Sequence, residues 1–175
     1  MRLFIAVDFN ELNDCFAELQ KLLPKNAKLS LTKTFHVTLK FLGEVQPDKV
    51  EDVIDKLKNI KFERFSVFLD SVGIFPTENY IRVVWVSIKP EDKMLELQKQ
   101  IDDALSKMFK KEKGFKAHIT LARVKYSADK KVFVEQIKKI KIENKKVDIK
   151  QFKLMKSALS PKGPVYENLS VFNSQ

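Results

Sequence analysis

The chain has two histidines in 175 residues, and each opens the same four-residue pattern: His36-Val37-Thr38-Leu39 and His118-Ile119-Thr120-Leu121. At background residue usage a histidine meets Thr at +2 and Leu at +3 only roughly once in a few hundred cases. Both histidines meeting both conditions, 82 positions apart, imply a duplicated active element and a fold built from two similar halves. Two imidazoles point to paired acid–base chemistry.

Each motif lies in a β-like run, from Thr34 to Phe41 and from Ala117 to Val124. In a strand, residues i and i+2 share a face. His36 and Thr38 therefore point one way while Phe35, Val37, Leu39 and Phe41 point the other, and His118 and Thr120 likewise stand opposite Ala117, Ile119 and Leu121. Taken alone, a strand histidine is more simply a hydrogen-bonded structural group, and a strand threonine follows β-propensity. The repetition favours chemistry.

The rest of the chain repeats an order. A strand (Arg2–Asp8) leads to a helix (about Glu11–Leu23) with Asn10 as N-cap and Leu12, Cys15, Phe16, Leu19, Leu22 and Leu23 on one stripe. The first histidine strand follows, then a helix from Pro47, which suits a first helical turn, and strand signals from Phe62 to Phe75, interrupted near Gly73. The second half gives a strand (Tyr80–Ile88), a helix (about Glu91–Phe109), the second histidine strand and a weaker helix (about Asp129–Ile140). Strands near Val147–Leu159 and Val165–Phe172 close it; a phase change between Ile149 and Phe152 suggests a bulge. The strands alternate apolar and polar, as one-sided antiparallel sheets do. The expected fold is α+β: one domain over residues 1–175, duplicated at about 1–78 and 79–175. Its two pseudo-symmetric lobes are each an antiparallel sheet with helices on the outer face, and the sheets face each other across a central cleft holding both His–Thr pairs.

Composition narrows the chemistry. A hydrophobic fraction of 44% with 14 Phe supports a folded interior. The single Cys15 excludes an internal disulfide framework and a paired-cysteine zinc site. With four glycines and no G-x-x-x-x-G-K-[ST], a P-loop is absent; H-E-x-x-H and G-x-S-x-G are absent too. Asp102-Asp103 falls mid-helix, where adjacent acids diverge onto a solvated face. The formal net charge of +10 favours a polyanionic partner. The apolar N-terminal run is too short for a signal peptide or membrane span, so a cytoplasmic location is expected.

Two imidazoles and two hydroxyls fit metal-free phosphodiester cleavage. With unperturbed pKa values near 6.5, one neutral histidine can take a proton from an attacking water or hydroxyl while the other, protonated, supplies one to the departing oxygen. Thr38 and Thr120 can donate hydrogen bonds to the non-bridging phosphoryl oxygens. The sequence does not say which histidine plays which part. Lys40 shares parity with His36 and Thr38 and is expected in solvent.

The double H-x-T-x motif resembles the 2H phosphoesterase superfamily. The flanking segments resemble its RNA 2',3'-cyclic phosphodiesterase branch, also called 2'-5' RNA ligases: Arg2-Leu3-Phe4-Ile5-Ala6, His36 through Val45, Gly73-Ile74-Phe75-Pro76, Val83-Val84-Trp85-Val86, His118 through Val124, and Gly163-Pro164-Val165-Tyr166-Glu167. That resemblance implies two lobes around a basic cleft, with no cofactor and no metal. It implies opening of an RNA 2',3'-cyclic phosphate to a 2'-phosphomonoester, with His36 as proton donor, His118 as proton acceptor, and Thr38, Thr120 and Arg123 at the phosphate. Simple alternation would put Arg123 on the face opposite His118, so reaching the cleft needs a twist, a bulge or a long side chain curling over the strand end. Reversible 2'-5' ligation is a further implication. Phe9, Phe75, Tyr80 and Tyr166 are candidates for stacking on a terminal base. The expected partner is RNA with a 2',3'-cyclic phosphate terminus, tRNA-like fragments included, with no membrane involved and the protein a monomer. Two alternatives stay open: a small cyclic nucleotide or ADP-ribose cyclic phosphate as substrate, or a non-catalytic RNA-end binding module.

Overall fold

Period-two runs of Val, Ile, Leu and Phe give nine strands, which form one antiparallel sheet in the computed structural model; it describes residues 1–161 and 163–175. The strands are β1 (Arg2–Asp8), β2 (Ala27–Leu31), β3 (His36–Glu44), β4 (Phe65–Thr77), β5 (Tyr80–Lys89), β6 (Ile119–Ser127), β7 (Lys146–Ile149), β8 (Gln151–Ser160) and β9 (Gly163–Asn173). Their order is β7-β4-β5-β6-β3-β1-β8-β9, with β2 paired to β6. The helices are α1 (Asn13–Lys21), α2 (Val50–Lys58), α3 (Asp92–Ala104) and α4 (Lys130–Lys138). Each buries an apolar stripe: Phe16 and Leu19, Val53 and Leu57, Met94, Leu97 and Ile101, and Phe133, Val134 and Ile137.

The expected α+β architecture of two sheet-and-helix lobes is present, and the two sheets join edge to edge into one curled sheet. The seam is β3 against β6, where Val37 pairs with Ile119. Strands β1, β3, β8 and β9 form one lobe and β2, β4, β5, β6 and β7 the other. Helix α3 packs on β3, whereas α1 packs on β6 and α4 on β4. Each lobe therefore draws elements from both ends of the chain.

This interleaving explains the phase change after Ile149. Strand β7 pairs with β4, and β8 pairs with β1. The chain passes from one lobe to the other between Ile149 and Gln151, so the apolar phase resets because the strand changes partners; the feature is a crossover between strands, and the expected bulge is not what resets it. Other expectations also need correction. Asn10 does not cap α1: its Oδ1 accepts the Phe35 backbone N–H at 2.9 Å, tying the helix entrance to the first motif. Leu22 lies outside the buried stripe, in solvent. The strand through Gly73 is continuous to Thr77. Strand β2 is half-exposed with Lys and Ser on its open side, too weak an apolar signal to separate from a loop.

Candidate active site

The seam assembles the site. Val37 and Ile119 are fully buried and paired, so the residues on either side of them emerge on the opposite, open face. In an antiparallel register the positions flanking such a pair oppose each other. His36 thus lies opposite Thr120, and Thr38 opposite His118. The four side chains are all partly exposed.

A bulge follows each motif. Along β1, Ala6 pairs with Thr38 but Ile5 pairs with Lys40, leaving Leu39 as the extra residue. Along β5, Trp85 pairs with Thr120 and Val84 with Ala122, leaving Leu121 as the extra residue. The leucine at +3 is therefore the bulged position in both copies, and it resets the side-chain parity. Arg123, which simple alternation would send to the wrong side, returns to the face of His118 and is exposed there. The bulge settles the placement that the sequence left unexplained.

The same reset moves Lys40 the other way. Expected in solvent, it is wholly buried, with Nζ ion-paired to Asp102 and donating to the Lys110 carbonyl at 2.6 Å. Asp102 is also buried and accepts the Glu112 backbone N–H at 2.9 Å. The expected solvated acidic face holds for Asp103 only, which is exposed beside Lys111.

Each imidazole stands against an aromatic wall. His36 has Phe4 at 5.3 Å and Tyr166 edge-on at 5.4 Å. His118 has Phe75 edge-on at 4.9 Å and Trp85 at 6.1 Å, and those two rings stack at 4.5 Å. Trp85 lies flat over Gly73: a Cβ there would meet Trp85 Cζ2 at 2.3 Å, so the missing side chain makes room for the indole. Of the stacking candidates, Phe75 and Tyr166 line the site, Tyr80 is exposed under Arg82, and Phe9 is buried in the core.

The rings differ electrostatically. His118 Nδ1 lies 2.7 Å from the Lys116 carbonyl oxygen. A carbonyl only accepts, so Nδ1 carries the proton and donates it, which leaves Nε2 of a neutral ring with a free lone pair. Burial lowers the His118 pKa, the Lys116 hydrogen bond opposes this, and Arg123 lowers it further. Burial carries His36 down to about 4, against the opposing pull of Asp8 and with smaller reductions from His118 and Arg123. Asp8 is the cross-strand partner of His36, and its carboxylate accepts from Asn10 N–H at 2.7 Å and Lys153 Nζ at 3.0 Å. Asp8 and Lys153 were not among the sequence candidates; the nearest signal was an acid ending an apolar strand. Arg123 lowers the pKa of both imidazoles and, with Arg2, opposes the burial that raises Tyr166, so its field reaches both half-sites.

Among the described residues no group of three or more His, Cys, Asp or Glu side chains could hold a metal ion, and no helix is long and apolar enough to cross a membrane.

The model of the family described as "LigT like Phosphoesterase" matches twice, over residues 5–85 and 86–166. Among curated proteins, the RNA 2',3'-cyclic phosphodiesterase of Methanocaldococcus jannaschii is 36% identical, covering 95% of this chain and 97% of its own length. The protein of that name from Archaeoglobus fulgidus is 34% identical, covering 98% and 99%. A crystal structure of a Thermus thermophilus protein superposes with a TM-score of 0.83 at 27% identity, covering 99% of this chain and 97% of the other. Escherichia coli LigT complexed with 3'-AMP gives 0.79 at 23% identity, covering 99% and 97%, a likeness of fold. Two family-model matches, one around each H-x-T-L motif, and full-length relatives above 30% identity make this chain a member of the LigT-like phosphoesterase family.

Proposed function

We propose that the protein hydrolyses RNA 2',3'-cyclic phosphate ends to 2'-phosphomonoesters by paired-histidine acid–base catalysis. The observation that carries this reading is the pairing of Val37 with Ile119, which brings the two H-x-T motifs side by side at the seam of the lobes. The name shared by the archaeal relatives supports the substrate class.

In this mechanism neutral His118 takes a proton through Nε2 from the attacking water, as its tautomer permits. The oxygen attacks phosphorus, the bond to the 3'-oxygen breaks, and His36 gives that oxygen its proton. The Asp8 carboxylate across the strand stabilises the imidazolium of His36 before transfer. Thr38, Thr120 and Arg123 stabilise the non-bridging oxygens, where negative charge grows. With the roles exchanged, the same pair would serve 2'-5' joining. On this reading the partner is RNA with a cyclic phosphate end, tRNA-like fragments included, and the enzyme acts as a monomer in the cytoplasm.

The test gives EDTA-treated protein an oligoribonucleotide ending in a 2',3'-cyclic phosphate and locates the phosphate in the product. A 2'-monophosphate is expected. Turnover of mononucleotides alone would replace the RNA substrate with a small cyclic nucleotide, and binding without turnover would reject the enzyme.

A further inference from the structure

His118 is reached by a stretch of chain that the sheet does not hold. Among the described residues, no backbone–backbone hydrogen bond involves residues 113–117, between α3 and β6. Phe115 and Ala117 pack into the core, which fixes the depth of the segment. The tilt of the peptide between Lys116 and Ala117 is left to other contacts. Yet the carbonyl of that peptide is the acceptor that holds the His118 Nδ1 proton at 2.7 Å.

The Lys116 side chain makes those other contacts. Its Nζ stands 5.8 Å from the centroid of the Trp85 ring, within reach of a cation–π attraction, and the same indole lies 6.1 Å from the His118 ring. Nζ also lies 3.6 Å from Glu91 Oε1, on the residue just before α3. That oxygen is enclosed and has no hydrogen-bond partner among the described residues, so the lysine is what meets its charge. Of the groups that shift the His118 pKa, Arg123 acts through its charge and Lys116 through its carbonyl. The lysine therefore reaches the imidazole by way of the backbone.

We propose that Lys116 is a positioning residue for His118: clamped between Trp85 and Glu91, it holds its own carbonyl where it keeps the proton on Nδ1 and leaves Nε2 open. The inference rests on the reading of His118 as proton acceptor and deepens it. A neutral imidazole has two tautomers, and only one of them presents Nε2 as the base.

The test compares wild type with Lys116→Ala, Lys116→Arg and Glu91→Gln. Nitrogen NMR of histidine-labelled protein at pH 8, where both rings are neutral, reads the tautomer, and steady-state rates read catalysis. With two histidines in the chain, His36→Phe assigns the signals. Wild-type His118 should carry its proton on Nδ1. Lys116→Ala should give a mixture of tautomers and lower kcat roughly 10- to 100-fold. Its His118 limb in the pH profile should move to lower pH, because the Lys116 hydrogen bond raises that pKa, while the His36 limb stays. Lys116→Arg should recover most of the rate and the wild-type tautomer, and Glu91→Gln should reproduce part of the loss. Should Lys116→Ala fail to fold, Glu91→Gln carries the same readout. An unchanged tautomer in these variants overturns the inference, and a fall in kcat without it would make the lysine a direct contact of the substrate. A wild-type His118 protonated on Nε2 overturns it too. A Lys116-dependent tautomer in a wild type that does not open the phosphate upholds the clamp and rejects the proposed reaction instead.

Discussion

Val37 and Ile119 pair across the seam of the two lobes, and this one backbone contact sets His36 opposite Thr120 and Thr38 opposite His118. Neither apolar residue can touch substrate, since both are fully buried. They fix the separation of two half-sites that folding would otherwise have to align through loops. His36→Ala and His118→Ala are each expected to lower kcat by 10² or more. Both side chains are partly exposed and on the open face, so thermal melts should stay close to wild type. Activity retained in either variant would remove that histidine from the proton path.

The pH dependence should be displaced towards acid. The profile of kcat/KM reports the free enzyme, in which His36 titrates at about 4 and His118 below 6.5. With His36 required protonated and His118 required neutral, both limbs lie below pH 6.5, and kcat/KM falls about tenfold per pH unit above that. Arg123 lowers both imidazoles, so Arg123→Gln should move both limbs to higher pH as well as slow the reaction. Initial rates at limiting substrate from pH 4 to 8 check this, and an optimum above pH 7 in wild type would contradict the assigned roles.

The same depression has a stability consequence. His36 has a folded pKa of about 4 against 6.5 unfolded, so below pH 6.5 the unfolded chain binds more protons and stability falls with pH. The contribution is present above pH 6.5 and lost as pH drops towards 4, amounting to about 3 kcal/mol at 1.36 kcal/mol per unit. Urea unfolding at pH 7 and pH 4 should show a smaller acid loss in His36→Phe than in wild type.

The strands that carry the two motifs were legible because their signal is local. His36-x-Thr38 and His118-x-Thr120 each state their own face, and repetition states their relationship. The boundaries of β1 and the helix starting at Pro47 follow equally local cues. What escaped depends on partners distant in the chain. The bulges at Leu39 and Leu121 exist only in the pairing with β1 and β5, so the sequence alone misplaced Lys40 and left Arg123 without a route to the cleft. The crossover at Lys150 is set by which lobe each strand joins. Asp8 becomes part of the site only because β1 lies beside β3.

Gly73 supports the second half-site from below. An added Cβ would stand 2.3 Å from Trp85 Cζ2, forcing the indole towards Phe75 and His118, both in contact with it. Gly73→Ala should cost about 1–3 kcal/mol through overpacking and lower kcat by disturbing His118. Trp85 is the single tryptophan, so its emission reports the displacement directly. Wild-type emission together with a wild-type rate would show that the wall has slack.

The buried Lys40–Asp102 pair ties α3 to the strand of the first motif, directly after the bulge. Removing one partner leaves the other charged and enclosed, which typically costs about 3–5 kcal/mol. Replacing both with apolar residues of similar size is often near neutral. Asp102→Leu should therefore lower the melting temperature by roughly 10 °C, and Lys40→Met/Asp102→Leu should recover most of that loss. If the pair also holds the Leu39 bulge in register, the double variant will melt like wild type yet show reduced kcat, because Thr38 and His36 lie within four residues of Lys40 on the same strand. Full recovery of both stability and rate would limit the pair to packing, with the bulge maintained by its backbone pairing to β1.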